Sequence, residues 1–160
     1  MILISSCLMG KNCRYDGDNC QQLDLIELFE EEEILDVCPE LEGGLSIPRS
    51  PAEIFGGDGY DVLEGRAEVV SADGREITGS YLIGIRNILS SIDLMSVEMA
   101  ILKSLSPACG PGQIYSGEFE GKLKNGDGVL AAFLKRAEIP VFSEEDIDEI
   151  KNHLKKRRLK

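Results

Sequence analysis

Three short runs of branched aliphatic residues, each delivered into a loop that carries a cysteine, constrain this chain more than any other feature. Ile2-Leu3-Ile4 precedes Cys7, Ile34-Leu35-Asp36-Val37 precedes Cys38, and the run from Val97 to Leu102 precedes Cys109. Runs of this length that end in turn-formers read as buried strands. As parallel neighbours in one sheet, they send all three loops to the same edge, where open α/β sheets hold ligands. The long gaps between them suit crossover helices, which return each strand to the same end. The expected fold is α/β: one three-layer domain over residues 1–160, with a mostly parallel sheet, helices on both faces and small β-hairpin insertions.

The remaining periodicity fills in that frame. Leu25, Ile26, Leu28 and Phe29 mark one helix, and Tyr81, Leu82, Ile85, Ile88, Leu89 and Ile92 form a 3.6-residue stripe that reads as core. Val129, Leu130, Phe133, Leu134 and Ala137 predict a helix after Asp127-Gly128. Pro140-Val141-Phe142 predicts a last strand, with Ser143 and Asp146 capping the final helix. Residues 60–78 carry β-like runs around Ala72-Asp73-Gly74 that predict a hairpin, and a second hairpin is expected over residues 113–124. From Cys38 to Pro51, three prolines and two glycines predict a rigid loop without a regular element.

Charge and composition narrow the chemistry. A net charge of -12 repels polyanions, which makes nucleic acid a poor partner. No stretch is long enough to span a bilayer and no leader peptide is visible, so the expected location is the cytoplasm. Five cysteines in such a compartment are metal-bound, reactive or buried rather than paired. The single histidine, His153, sits by the basic run that closes the last helix, which removes Ser-His-Asp and Cys-His catalysis and mixed Cys/His zinc sites. No phosphate-binding glycine fingerprint is present.

Cys7, Cys38 and Cys109 therefore read as a three-thiolate site for zinc or an iron–sulfur cluster. Three cysteines can hold a cluster with one iron left open, a Lewis acid suited to soft sulfur. Cys13 shares a loop with Cys7 and is an alternative fourth ligand, while Cys20 reads as a core thiol. Glu40 stands two residues after Cys38, and Ser106 three before Cys109. They suit a proton relay and a hydroxyl that orients a substrate heteroatom, with Glu42, Lys103 and Ser104 as rivals in the same loops. Arg14, Tyr15, Asp16 and Arg49 are candidates for the pocket wall or for salt bridges that brace the loops.

Three strings carry a resemblance to a known family: Ser6-Cys7-Leu8-Met9-Gly10-Lys11-Asn12-Cys13-Arg14-Tyr15-Asp16-Gly17, Cys38-Pro39-Glu40 through Pro48-Arg49, and Lys103-Ser104-Leu105-Ser106-Pro107-Ala108-Cys109-Gly110. In this order they resemble the signatures of the TudS family, whose characterised members are thiouracil desulfidases. The resemblance implies a 4Fe-4S cluster on Cys7, Cys38 and Cys109, with the open iron taking the sulfur of a small thiolated base. It implies Glu40 as the catalytic carboxylate and Ser106 as the catalytic serine, in a non-redox exchange that yields uracil and hydrogen sulfide. Two other readings compete: a zinc or closed-cluster module with Cys13 as fourth ligand, and metal-free chemistry at one reactive thiol. Nothing in the sequence fixes an oligomeric state.

Overall fold

The computed structural model describes residues 1–160. In chain order its elements are β1 (Ile2–Ser5), a 3-10 turn (Ser6–Met9), α1 (Leu23–Leu28), β2 (Ile34–Val37), α2 (Pro39–Glu42), β3 (Ala52–Phe55), α3 (Gly59–Leu63), β4 (Glu68–Ser71), α4 (Thr78–Ser90), a second 3-10 turn (Leu94–Ser96), β5 (Met99–Leu102), β6 (Gln113–Tyr115), β7 (Leu123–Asn125), α5 (Val129–Arg136), β8 (Val141–Ser143) and α6 (Ile147–Arg158). The main sheet has the order β2-β1-β5-β8, and every pairing in it is parallel.

Side chains alternate across this sheet, as a strand's period of two requires. Leu3, Ala100 and Leu102 point into a core shared with Tyr81, Ile85 and Ile88 of α4 and with Val129, Leu130 and Leu134 of α5. Ile2, Ile4, Met99 and Ile101 point the other way, against Leu25 and Phe29 of the α1 region and Ile150 and Leu154 of α6. The central strands β1 and β5 are buried at every residue, which is why they read as unbroken apolar runs. Each such aliphatic side chain stabilises the fold by roughly 1.5–3 kcal/mol relative to exposure. The three-layer α/β expectation is met.

Four local expectations need correction. The stretch after Cys38 is not wholly irregular: Pro39 opens the single-turn helix α2, because a proline at the first helical position gives up only an N–H that would be unpaired anyway. Residues 59–63 form a helix rather than β structure, started by a capping box in which Asp58 and Asp61 accept each other's backbone N–H. The tight hairpin at residues 72–74 shrinks to a Val70–Glu76 bridge, and β4 pairs chiefly with β3. Asp146 is the N-cap residue of α6, yet its carboxylate accepts the Ser143 N–H at 2.7 Å and closes the preceding turn instead of capping the helix. The β6–β7 hairpin lies where the sequence indicates. No helix is long and apolar enough to cross a membrane.

Candidate active site

The carboxyl ends of β2, β1 and β5 present the three thiols at one edge of the sheet. Cys7 lies in the 3-10 turn that follows β1, and Cys38 is the first residue past β2, at the N-terminus of α2. Cys109 sits on a turn whose carbonyls are claimed by the start of α5: Pro107 and Ala108 accept the N–H groups of Val129 and Leu130 at 2.9 and 2.8 Å, and Gly110 accepts that of Gly128 at 2.7 Å. This docking requires glycine at 128, where a Cβ would stand 2.7 Å from the Ser106 carbonyl oxygen and 2.8 Å from the Cys109 nitrogen. Leu105 bends the chain out of the β5 edge with a φ of +66°, a left-handed conformation uncommon outside glycine.

The three thiols line one cavity of about 380 Å³, within the usual range for a small-molecule site. Cys13, Arg14, Glu40, Arg49, Ser104 and Ser106 share its wall. Of the candidate residues of the sequence reading, all but Asp16, Cys20 and Glu42 are gathered there. Cys20 packs against the second core and donates its backbone N–H to the Cys7 carbonyl at 2.9 Å, and Glu42 faces a smaller neighbouring cleft.

Three of the thiols, Cys13, Cys38 and Cys109, hold on to their protons. A hydrogen bond with Cys38 favours ionisation of Cys13, but one with Cys7 and burial outweigh it and push the Cys13 thiol up to about 11. The bond with Cys13, followed by burial, pushes Cys38 up far beyond the usual thiol range. Burial pushes Cys109 up to about 12, although the hydroxyls of Ser5 and Ser106 face its sulfur and favour the thiolate. Cys13 thus stands beside both Cys7 and Cys38, while Cys109 has its own pair of hydroxyls. Uncharged thiols around a common cavity are suited to a cationic centre, which binds thiolate and displaces the proton.

Glu40 and Arg49 form the charged part of the wall. Arg49 Nε donates to Glu40 Oε2 at 2.7 Å, with side chains only 6% and 17% exposed for Arg49 and Glu40. The same guanidinium donates to the carbonyls of Cys13 at 2.8 Å and Ser46 at 3.2 Å. Arg49 is therefore both pocket wall and brace, tying the Cys13 loop to the helix turn after Cys38. Arg14 stacks over the Tyr15 ring, 5.7 Å from its centroid.

The serines are placed differently from each other. Ser106 Oγ accepts the N–H groups of Ala108 and Cys109 at 3.2 and 3.1 Å and so shapes the turn that presents Cys109. Ser104 Oγ donates to Glu144 Oε1 at 2.6 Å, and Lys103 Nζ reaches the same carboxylate oxygen at 2.9 Å. Burial opposes ionisation of Glu144, but the Ser104 hydroxyl and amide, together with Lys103, hold its carboxyl below the usual range. The sequence reading overlooks Glu144, although it follows β8 as Cys7 follows β1, and the strand-then-loop rule applied a fourth time finds it.

Two features of the cavity itself were not legible as site residues. Tyr81, read as core, is fully buried in the core, yet it also lines the cavity. Tyr115 and Phe119, from the β6–β7 hairpin, stand half-exposed on its wall. The hairpin loop is held by the buried Glu53, whose Oε1 accepts the N–H groups of Gly117 and Phe119 at 2.9 and 3.2 Å.

Comparison with known proteins agrees with this geometry. The family described as 2-thiouracil desulfurase matches residues 2–146. An uncharacterized protein of Bacillus subtilis (strain 168), YbbK, is 45% identical over 150 residues, covering 94% of this chain and 99% of the relative. A solved structure of a 4Fe-4S-dependent thiouracil desulfidase, TudS, superposes with a TM-score of 0.82 at 36% identity, covering 96% of this chain and 97% of that one.

Proposed function

Because this chain belongs to the 2-thiouracil desulfurase family, we propose that it is an iron–sulfur enzyme that removes sulfur from a free thiolated pyrimidine such as 2-thiouracil, releasing uracil and hydrogen sulfide. The observation that carries the reading is the meeting of three thiols from three adjacent parallel strands with Glu40 and Ser106 around one cavity. The donor set suits a 4Fe-4S cluster: it consists of soft thiols brought together by three separate loops. Cys7, Cys38 and Cys109 would hold it. When bound, the cluster supplies an open iron, a Lewis acid for the thiocarbonyl sulfur.

The chain's own groups account for the proton traffic. Glu40 accepts a proton from water as the oxygen adds to the thiocarbonyl carbon, and the Arg49 fork keeps the carboxylate turned to the cavity. Collapse of the tetrahedral adduct breaks the carbon–sulfur bond: the proton on Glu40 passes to the departing sulfur, and the added hydroxyl gives up its remaining proton as the carbonyl forms, so that both protons of the water end on hydrogen sulfide. Carbon gains an oxygen, sulfur leaves as sulfide, and no electron is exchanged, so neither nicotinamide nor flavin is needed. Ser106, whose oxygen already accepts two amides, has its O–H left to donate toward the ring or the Cys109 sulfur.

The contact of Cys13 with Cys7 and Cys38 favours a second reading, in which Cys13 completes four ligands and the site is purely structural or sensory. Anaerobic reconstitution with iron and sulfide, followed by incubation with 2-thiouracil, separates the two. The enzyme reading expects uracil and sulfide, lost in Glu40→Gln while the cluster stays bound, and retained in Cys13→Ser. A bound cluster with no turnover, destroyed by Cys13→Ser, establishes the alternative.

A further inference from the structure

Among the buried side-chain oxygens and nitrogens, the Tyr81 hydroxyl alone has no hydrogen-bond partner. Native proteins seldom leave such a group unpaired, because it gives up its water and receives nothing in return. A phenylalanine would fill the same space without that cost, so the oxygen needs a reason to be there.

Its surroundings supply one. Tyr81 belongs to the same buried core as Val37, Ala108 and Cys109 and lines the cavity on which the thiols converge. The charged and sulfur groups nearest in electrostatic effect are Glu40, Arg49, Cys109 and Cys38. Glu40 is engaged by Arg49, and neither thiol bonds the hydroxyl in the metal-free chain. The ring is also fixed relative to Cys38. The backbone of α4 on either side of Tyr81 presses against α2, so that a Cβ on Gly84 would overlap the Pro39 carbonyl and one on Gly43 the Ser80 carbonyl. A donor is thus held on the wall of the cavity that Cys38 and Cys109 also line, without a partner in the chain itself.

We infer that Tyr81 donates its O–H to the sulfur-rich anion held by Cys7, Cys38 and Cys109, as a positioning residue that stabilises the anion's charge. The inference rests on the desulfidase reading above and adds to it a protein donor outside the ligand set. Phenol donors to anionic sulfur strengthen retention and raise the reduction potential, since the bond is worth more as negative charge accumulates.

Tyr81→Phe tests this with a change of sign that a packing role lacks. Thermal midpoints are compared for the metal-free and cluster-loaded forms of wild type and variant, along with the rate of anaerobic cluster loss to a chelator and the cluster's reduction potential, all without substrate. The expected result is a metal-free variant at least as stable as wild type, whose loaded form sheds the cluster roughly tenfold faster and titrates at a lower potential. Equal destabilisation of both forms overturns the inference in favour of packing. So does a loaded variant with wild-type retention and potential, or an effect that arises only once 2-thiouracil is added, which assigns the hydroxyl to substrate. Failure of the wild type to take up any cluster overturns the desulfidase reading and this inference with it. An indifferent variant of a loaded enzyme overturns only the role of Tyr81.

Discussion

Removing the Arg49 guanidinium leaves the Glu40 carboxylate largely dry and without a counter-charge, and frees the carbonyls of Cys13 and Ser46 together. A buried carboxylate stripped of its partner costs more than the pair ever contributed, so Arg49→Ala should lower unfolding stability by about 3 kcal/mol in urea. Arg49→Lys should recover little of it, because an ammonium cannot serve three acceptors in the geometry of a planar fork. A loss below about 0.5 kcal/mol, the range of an exposed pair, would show the contact to be marginal. Glu144 provides a test by acidity. Its carboxyl lies below its ordinary value of 4.5, so its stabilisation is complete above that value and disappears as the pH falls through the lower folded-state value. The stability gap between wild type and Glu144→Gln should therefore be constant above 4.5 and narrow in stronger acid. A gap unchanged through the acid limb would mean that the carboxylate contributes only packing. At this scale the loops that bring the thiols, Glu40 and Ser106 to one cavity were legible because each loop leaves the carboxyl end of a strand. Arg49 was legible only as a candidate, since its partner lies nine residues away through an irregular loop, and Tyr81 was hidden because its ring satisfies the helical stripe while only its oxygen departs from it.

Helix α2 is a single turn, too short to persist alone, and it is held by its contact with α4. Gly84 lies at the crossing, where a methyl group would run into backbone rather than into a flexible side chain. Two effects oppose each other in Gly84→Ala. Helix propensity favours alanine by about 1 kcal/mol, while overpacking against a fixed carbonyl costs about 1–3 kcal/mol, with the contact too close for small adjustments. The variant should unfold at lower urea and bind iron poorly, because displacing α2 moves Cys38 and Glu40 together. Stability equal to or above wild type would show that the crossing yields. The longer elements were legible from periodicity and length. The short ones, α2 and α3, were not, because a one-turn helix has no period to read, and its boundaries come from tertiary packing and from side-chain caps such as Asp58.

The two cores on either side of the main sheet are chiefly aliphatic, 20 buried residues in one and 11 in the other. Chelation of the loaded protein should therefore lower its thermal midpoint while leaving the far-ultraviolet circular dichroism of a folded chain, unlike small zinc domains that unfold when stripped. Collapse of that signal on chelation would show that the thiol site carries the fold. The parallel order β2-β1-β5-β8 was legible only in outline, because alternation and run length identify strands whereas neighbour choice depends on crossover packing. The docking of the Cys109 turn on residues 128–130 has a consequence in time. On the ribosome, Cys7 and Cys38 emerge early, but the third thiol has no fixed position until the start of α5 has been made, roughly 6 to 25 s after Cys7 at ordinary rates of elongation. A cluster that needs all three thiols in place would therefore be built on a nearly complete chain.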